Sequence, residues 1–124
     1  MKLFNMIQTG DWKGEKHVPV IDAPATVAKG EAFDVTVSVG KEIAHPNKPD
    51  HFIAWIQLYF IPEGGKFAIE LGRETFDAHG ANGEVFTEPS ATFKVKLDAP
   101  GTLSAVSYCN IHGLWGNEAE IKVQ

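Results

Sequence analysis

The strongest pattern along the chain is an alternation of period two. Phe33, Val35, Val37 and Val39 alternate with Asp34, Thr36 and Ser38 before Gly40, which predicts a strand with one wet face. From residue 52 to 61 both parities are apolar, with Phe52, Ala54, Ile56, Leu58 and Phe60 set against Ile53, Trp55 and Tyr59. A strand covered on both faces, central in a sandwich or at a subunit contact, reads this way. Pro62-Glu63-Gly64-Gly65 then turns the chain, and residues 67–76 form a weaker strand candidate. Ala91, Phe93, Val95 and Leu97 alternate with Thr92, Lys94 and Lys96. Residues 103–108 follow a Pro100-Gly101 turn, and Ala119, Ile121 and Val123 alternate with Glu120 and Lys122. No stretch of eleven or more residues keeps a helical stripe. Six or seven short strands with Gly/Pro turns predict an all-β fold, an antiparallel β-sandwich. With no repeat, low-complexity tract or linker, residues 1–124 read as one domain with residues 1–10 as an N-terminal arm.

Composition narrows the function more than the fold. A hydrophobic content of 44% and a charged content of 22% are those of an ordinary globular protein. A net charge of −5 argues against nucleic acid or an anionic membrane as the main partner. The first ten residues are too short and too interrupted for a signal-peptide core, and no apolar run reaches the length of a membrane helix. One cysteine makes no internal disulfide, so the expected location is cytoplasmic.

The candidate chemistry lies at the edges of strands. Cys109 is the only cysteine, and His112 follows three residues later in Ser107-Tyr108-Cys109-Asn110-Ile111-His112-Gly113. Three more histidines occupy two other compact segments: His17 in Glu15-Lys16-His17-Val18-Pro19, and His45 and His51 in His45-Pro46-Asn47-Lys48-Pro49-Asp50-His51. Singly, each has a plain explanation as a solvated loop histidine or a small buried thiol. Jointly, four imidazoles and one thiol in three short loops point to a mononuclear metal site, since loops at one end of a sandwich can converge on a point. His79, in Asp77-Ala78-His79-Gly80, reads as a turn or surface residue outside that set.

Five ligands overfill a tetrahedral structural zinc site and suit a higher-coordinate redox ion. A cupredoxin-like copper carrier is the main alternative, but it expects two histidines and an axial methionine, and Met1 and Met6 are the only methionines. Cys–His nucleophilic catalysis leaves three histidines unexplained.

At these same residues the sequence resembles the superoxide reductases of the one-iron, neelaredoxin type. The resemblance rests on Asp11-Trp12-Lys13, Glu15-Lys16-His17-Val18-Pro19-Val20, Val39-Gly40-Lys41-Glu42-Ile43, His45-Pro46-Asn47, Ala78-His79-Gly80 and Ser107 through Trp115, in that order, from about Thr9 onward. Phe52 stands where many relatives carry a further histidine, and Ala44 where a proline is common. The cysteine-rich N-terminal iron module of the two-iron relatives is absent. The resemblance implies an immunoglobulin-like sandwich of about seven strands. It also implies one non-haem iron held equatorially by His17, His45, His51 and His112 and axially by Cys109. The implied activity is one-electron reduction of superoxide to hydrogen peroxide, with re-reduction by rubredoxin or a similar carrier and a homotetramer or homodimer as the assembly. Within that scheme Lys16 is expected to guide the anion, and Glu15 to donate an oxygen to the ferric ion.

Overall fold

The computed structural model describes residues 2–124. A short 3-10 turn (Leu3–Asn5) precedes ten strands: β1 (Val20–Asp22), β2 (Thr26–Val27), β3 (Phe33–Ser38), β4 (Ile53–Pro62), β5 (Ile69–Thr75), β6 (His79–Ala81), β7 (Val85–Phe86), β8 (Ser90–Val95), β9 (Gly101–Cys109) and β10 (Gly113–Val123). One sheet has the order β1-β3-β8 and a second the order β2-β10-β9-β4-β5, while β6 and β7 form a separate hairpin. Alternation decides which side chains lie between the two sheets. Val35 and Val37 from β3 join Ile56 and Leu58 from β4, Leu103 and Ala105 from β9 and Ile121 from β10 in one buried cluster. Burying each Ile or Leu fully contributes roughly 1.5–3 kcal/mol, so this cluster fixes the sandwich.

The period-two stretches fall in strands as expected, and the extra strands are short ones. Pro24 separates β1 from β2 and lets the chain pass from the first sheet to the second. There β2 runs parallel to β10, pairing Thr26 with Lys122 and Val27 with Val123. Asn82 and Gly83 both adopt positive φ and turn the β6–β7 hairpin. Strand β10 begins at Gly113, six residues before its alternation becomes legible, because Gly113, Gly116 and Asn117 have low strand propensity. Strand β4 is buried on one face, and its other face is half-covered by Trp55 stacked on Tyr108 at 5.6 Å.

Two features carry the strands toward the site. Register shifts between Ile53 and Trp55, so Ile53 and Ile56 both point inward, and Ile53 sits opposite Cys109 at the end of β9. Gly113 pairs directly with Cys109, which closes the β9–β10 connection into a tight turn.

Candidate metal centre

Each candidate ligand is placed by a local feature of the chain. His17 follows a turn in which the amides of Gly14 and Glu15 donate to the Asp11 carbonyl. Pro19 keeps Val18 extended, and both are buried. The segment is tied to the large sheet by Ser107 Oγ donating to the His17 carbonyl at 3.4 Å and by Asn117 Nδ2 donating to the Pro19 carbonyl at 3.0 Å. His45 is reached through Gly40, whose φ is +84° and where a Cβ would stand 2.7 Å from the His45 nitrogen. Only glycine fits that approach. His51 and Lys48 exchange backbone hydrogen bonds in both directions at 3.0 Å, folding the Pro-rich loop back on itself. Cys109 is the last residue of β9, and His112 lies in the turn just before β10.

These four imidazoles form a closed ring of neighbours. Centroid separations are 4.9 Å for His17–His45, 4.9 Å for His45–His51, 5.1 Å for His51–His112 and 4.8 Å for His112–His17. Successive planes are steeply inclined to one another, by 56° to 79°. Ligand atoms of His17, His45, His51 and Cys109 all lie within 4.8 Å of one another. His112 completes the set with its Nδ1, 3.2 Å from His17 Nε2 and 3.8 Å from the Cys109 sulfur.

The outer nitrogens explain which atoms face inward. His17 Nδ1 donates to Glu15 Oε1 at 2.6 Å, and His45 Nδ1 donates to the Pro46 carbonyl at 2.7 Å. Both rings therefore hold their proton outside and turn an Nε2 lone pair to the centre, the tautomer a metal ligand needs. Nε2 of His45 and Nε2 of His51 are buried with no hydrogen-bond partner. Two orphaned ring nitrogens beside a fully buried thiol are costly in a protein unless something occupies the space between them. Burial presses the His45 pKa down to about 4, against a gain from the Pro46 carbonyl, and burial followed by the charges of His112, His17, Lys48 and Lys16 lowers that of His51. Both rings are thus neutral at pH 7 and ready to coordinate. The Cys109 sulfur accepts the His112 backbone N–H at 3.4 Å, one of the amide donors expected around a thiolate.

Of the remaining expected site residues, neither Glu15 nor Lys16 is among the converging atoms. The Glu15 carboxylate lies behind the His17 ring, accepting from both Nδ1 and the His17 amide, and the first of these bonds is the main cause of its lowered pKa. Lys16 is half-buried beside Glu15, His17 and Ile43 along a surface cavity of about 320 Å³. Its charge bears on Glu15, His45 and His51 together.

Two side chains near the centre went unassigned or misread in the sequence. Trp115 stacks on His17 at 4.8 Å and 16°, and its Nε1 donates to the His112 carbonyl at 3.2 Å, so one indole braces two rings. Its spacing of three from His112 across a tight turn is the signal that could have found it. His79 is not a surface turn residue: it is half-buried at the start of β6, and both ring nitrogens are engaged.

A family model described as Desulfoferrodoxin matches residues 9–118. The chain belongs to the desulfoferrodoxin family. Among its relatives in that family, a superoxide reductase of Pyrococcus horikoshii is 55% identical over 97% of this chain and 99% of its own length. A neelaredoxin of Megalodesulfovibrio gigas is 49% identical, with both chains covered in full. The solved structure of a superoxide reductase (neelaredoxin) from Archaeoglobus fulgidus in the reduced form superposes with a TM-score of 0.86 at 52% identity, covering 94% of this chain and 98% of that one. The sandwich is therefore that of the desulfoferrodoxin family.

Proposed function

We propose that the protein is a superoxide reductase that holds one iron ion with His17, His45, His51, His112 and Cys109. The observation that carries this reading is the closed ring of four imidazoles, two of them with buried, partnerless Nε2 atoms, set against a buried thiol. A soft sulfur with several imidazoles is a donor set that iron accepts, and five donors exceed the four of a tetrahedral zinc site. The cupredoxin-like alternative has two histidines too many, and Met6, its one candidate thioether among the described residues, is 52% exposed in the N-terminal arm.

Bound iron supplies the one-electron couple by which superoxide, one electron and two protons become hydrogen peroxide. The protein's residues do the rest. Cys109 provides a thiolate donor whose charge is tempered by the His112 amide. Glu15 fixes His17 in the coordinating tautomer by taking its Nδ1 proton in a hydrogen bond. To serve instead as the oxygen donor implied by the resemblance, its carboxylate would have to leave that ring. Lys16 offers a cation at the approach to an acidic protein, where it raises the local concentration of a small anion.

Electrons arrive from rubredoxin or a similar one-electron carrier, a role that fits the exposed turn at Ile111 and His112 next to the sulfur. Exposed Leu3, Phe4, Phe67 and Ile69 support assembly into a homodimer or homotetramer. The single unpaired thiol fits a reducing cytoplasm, and among the described residues no helix is long and apolar enough to cross a membrane. The chain acts as one domain over residues 1–124, built on one continuous core.

The test is iron-loaded protein in a superoxide-consumption assay that also scores oxygen release. Consumption without oxygen release, at about one iron per chain, is expected. Cys109→Ser should abolish the sulfur-to-iron charge-transfer colour. Absence of superoxide consumption by loaded protein, or persistence of that colour in Cys109→Ser, would overturn the assignment.

A further inference from the structure

His79 lies outside the ligand set, yet each of its ring nitrogens faces an oxygen acceptor and one face of the ring is stacked; a neutral imidazole donates to one of the two oxygens at a time. Nδ1 is 2.8 Å from Oδ1 of Asn47, and Nε2 is 2.7 Å from the Phe76 carbonyl. The orientation of the Asn47 amide is set at its other end, where Nδ2 donates to the Thr87 carbonyl at 3.1 Å. The imidazole lies flat on Phe52, with centroids 3.9 Å apart and planes 11° apart. Asn47 comes two residues after His45, and Phe52 directly follows His51. Between these points Gly80 approaches Pro49 so closely that a Cβ there would meet the Pro49 ring at 3.3 Å. The loop bearing two of the four imidazoles is thus gripped at Asn47, Pro49 and Phe52 by residues of strand β6.

We propose that His79 is a positioning residue for His45 and His51, locking residues 46–52 to the β6–β7 hairpin and so fixing where the two inward nitrogens stand. The inference rests on the metal-centre reading above. The loop's own Lys48–His51 bonds close it on itself without anchoring it. Asn110 ties its end to the thiol turn, accepting from the Phe52 amide at 2.8 Å and donating to the Asp50 carbonyl at 3.1 Å. His79 ties the loop to the hairpin alongside the bond from Asn47 Nδ2 to the Thr87 carbonyl. The job needs a flat ring with an N–H at its edge: phenylalanine offers the face without a donor, and glutamine offers donors without a face. Partners of this kind around coordinating side chains typically change metal affinity by 10–100-fold.

The experiment is anaerobic release of iron(II) from loaded protein into a ferrous chelator. His79→Phe keeps a stacking ring and removes both edge contacts, while Asn47→Ala cuts the link from the loop side together with the bond to the Thr87 carbonyl. His79→Phe should speed release about tenfold, Asn47→Ala at least as much because its bond to the Thr87 carbonyl goes too, and the double variant should be no faster than Asn47→Ala, which has already lost the link to His79. In cobalt(II)-substituted protein both should shift the ligand-field spectrum in the same direction. Val85→Ala, an exposed change on the same hairpin, should leave rate and spectrum as in the wild type. Wild-type release from folded His79→Phe and Asn47→Ala, or multiplied effects in the double variant, would overturn the role of His79. Should His79→Phe not fold, His79→Leu, which also lacks both edge contacts, takes its place. A wild-type protein that takes up no iron(II) would instead remove the metal-centre reading, and this inference with it.

Discussion

Lowering the pH from 7 to 5 should weaken the metal-free protein by about 2 kcal/mol through His45 alone. The folded protein holds that ring neutral, with its pKa pressed to about 4 by burial, whereas the unfolded chain protonates it near the usual value of 6.5. Between those values the unfolded state binds a proton that the native state refuses, so stability falls as pH falls through the window. Across the full window the difference is about 3 kcal/mol. The titration curves place about 0.2 kcal/mol of that loss at pH 7 and about 2 kcal/mol at pH 5. His51 is shifted the same way and adds to the loss, while Glu15, a lowered carboxylate, contributes mainly at more acid pH. With a urea m-value of about 1–3 kcal/mol/M, the His45 share moves the unfolding midpoint by roughly 0.6–2 M. The assay is urea denaturation of chelator-treated protein at pH 7 and pH 5, in the wild type and in His45→Gln. The variant should show a decline smaller by about 2 kcal/mol. A wild-type midpoint that does not move, or a decline of full size in His45→Gln, would refute the argument that burial holds this ring neutral. Loaded protein should resist acid further, because the ion competes with protons for the same nitrogen.

Three further outcomes follow from particular contacts. Lys16→Ala should slow the superoxide reaction at low ionic strength and flatten its salt dependence. A unit charge about 8 Å from the anion at an effective dielectric of about 20 is worth about 2 kcal/mol, or roughly thirtyfold before screening. Unchanged rate and slope in a stopped-flow salt series would place steering elsewhere. Trp115→Phe keeps a ring on His17 but removes the bond to the His112 carbonyl, and should destabilise the protein by about 1 kcal/mol in denaturant unfolding. Gly101→Ala should sharply reduce stability or prevent folding, because a Cβ there would stand 2.2 Å from the Ile61 carbonyl and 2.8 Å from the Phe60 ring; a thermal midpoint within a few degrees of wild type would contradict this.

Much of this arrangement was legible in the chain, for physical reasons that also mark where legibility stopped. Val35, Val37 and Ile121 announce their strands because one face is buried and the other wet, so hydrophobicity alternates. Val20–Asp22 and Thr26–Val27 are too short to show a period, and their pairing is dictated by the sheets they join. The first half of β10 escaped notice because it is built from glycine, tryptophan and asparagine serving the turn and the arm. His17, His45, His51, Cys109 and His112 could be grouped because few other roles concentrate imidazoles and a thiol in three loops. Their mutual geometry could not be read, since it depends on the bulge at Ile53–Trp55, the positive φ of Gly40 and the stack of Trp115. His79 was misjudged because its environment is made by residues from three separate segments: Asn47, Phe52 and Phe76.

Pairing of Gly113 with Cys109 has a consequence for biosynthesis. Cys109 and His112 border the hairpin whose second arm, β10, also carries the indole that braces two of the rings. A ribosome that has already delivered His17, His45 and His51 has therefore made three of the five proposed ligands. The remaining two, Cys109 and His112, take their places when residues 113–123 emerge and pair with β9. On the reading proposed above, the full ligand set exists only late in synthesis, once the last strand has paired with its neighbour.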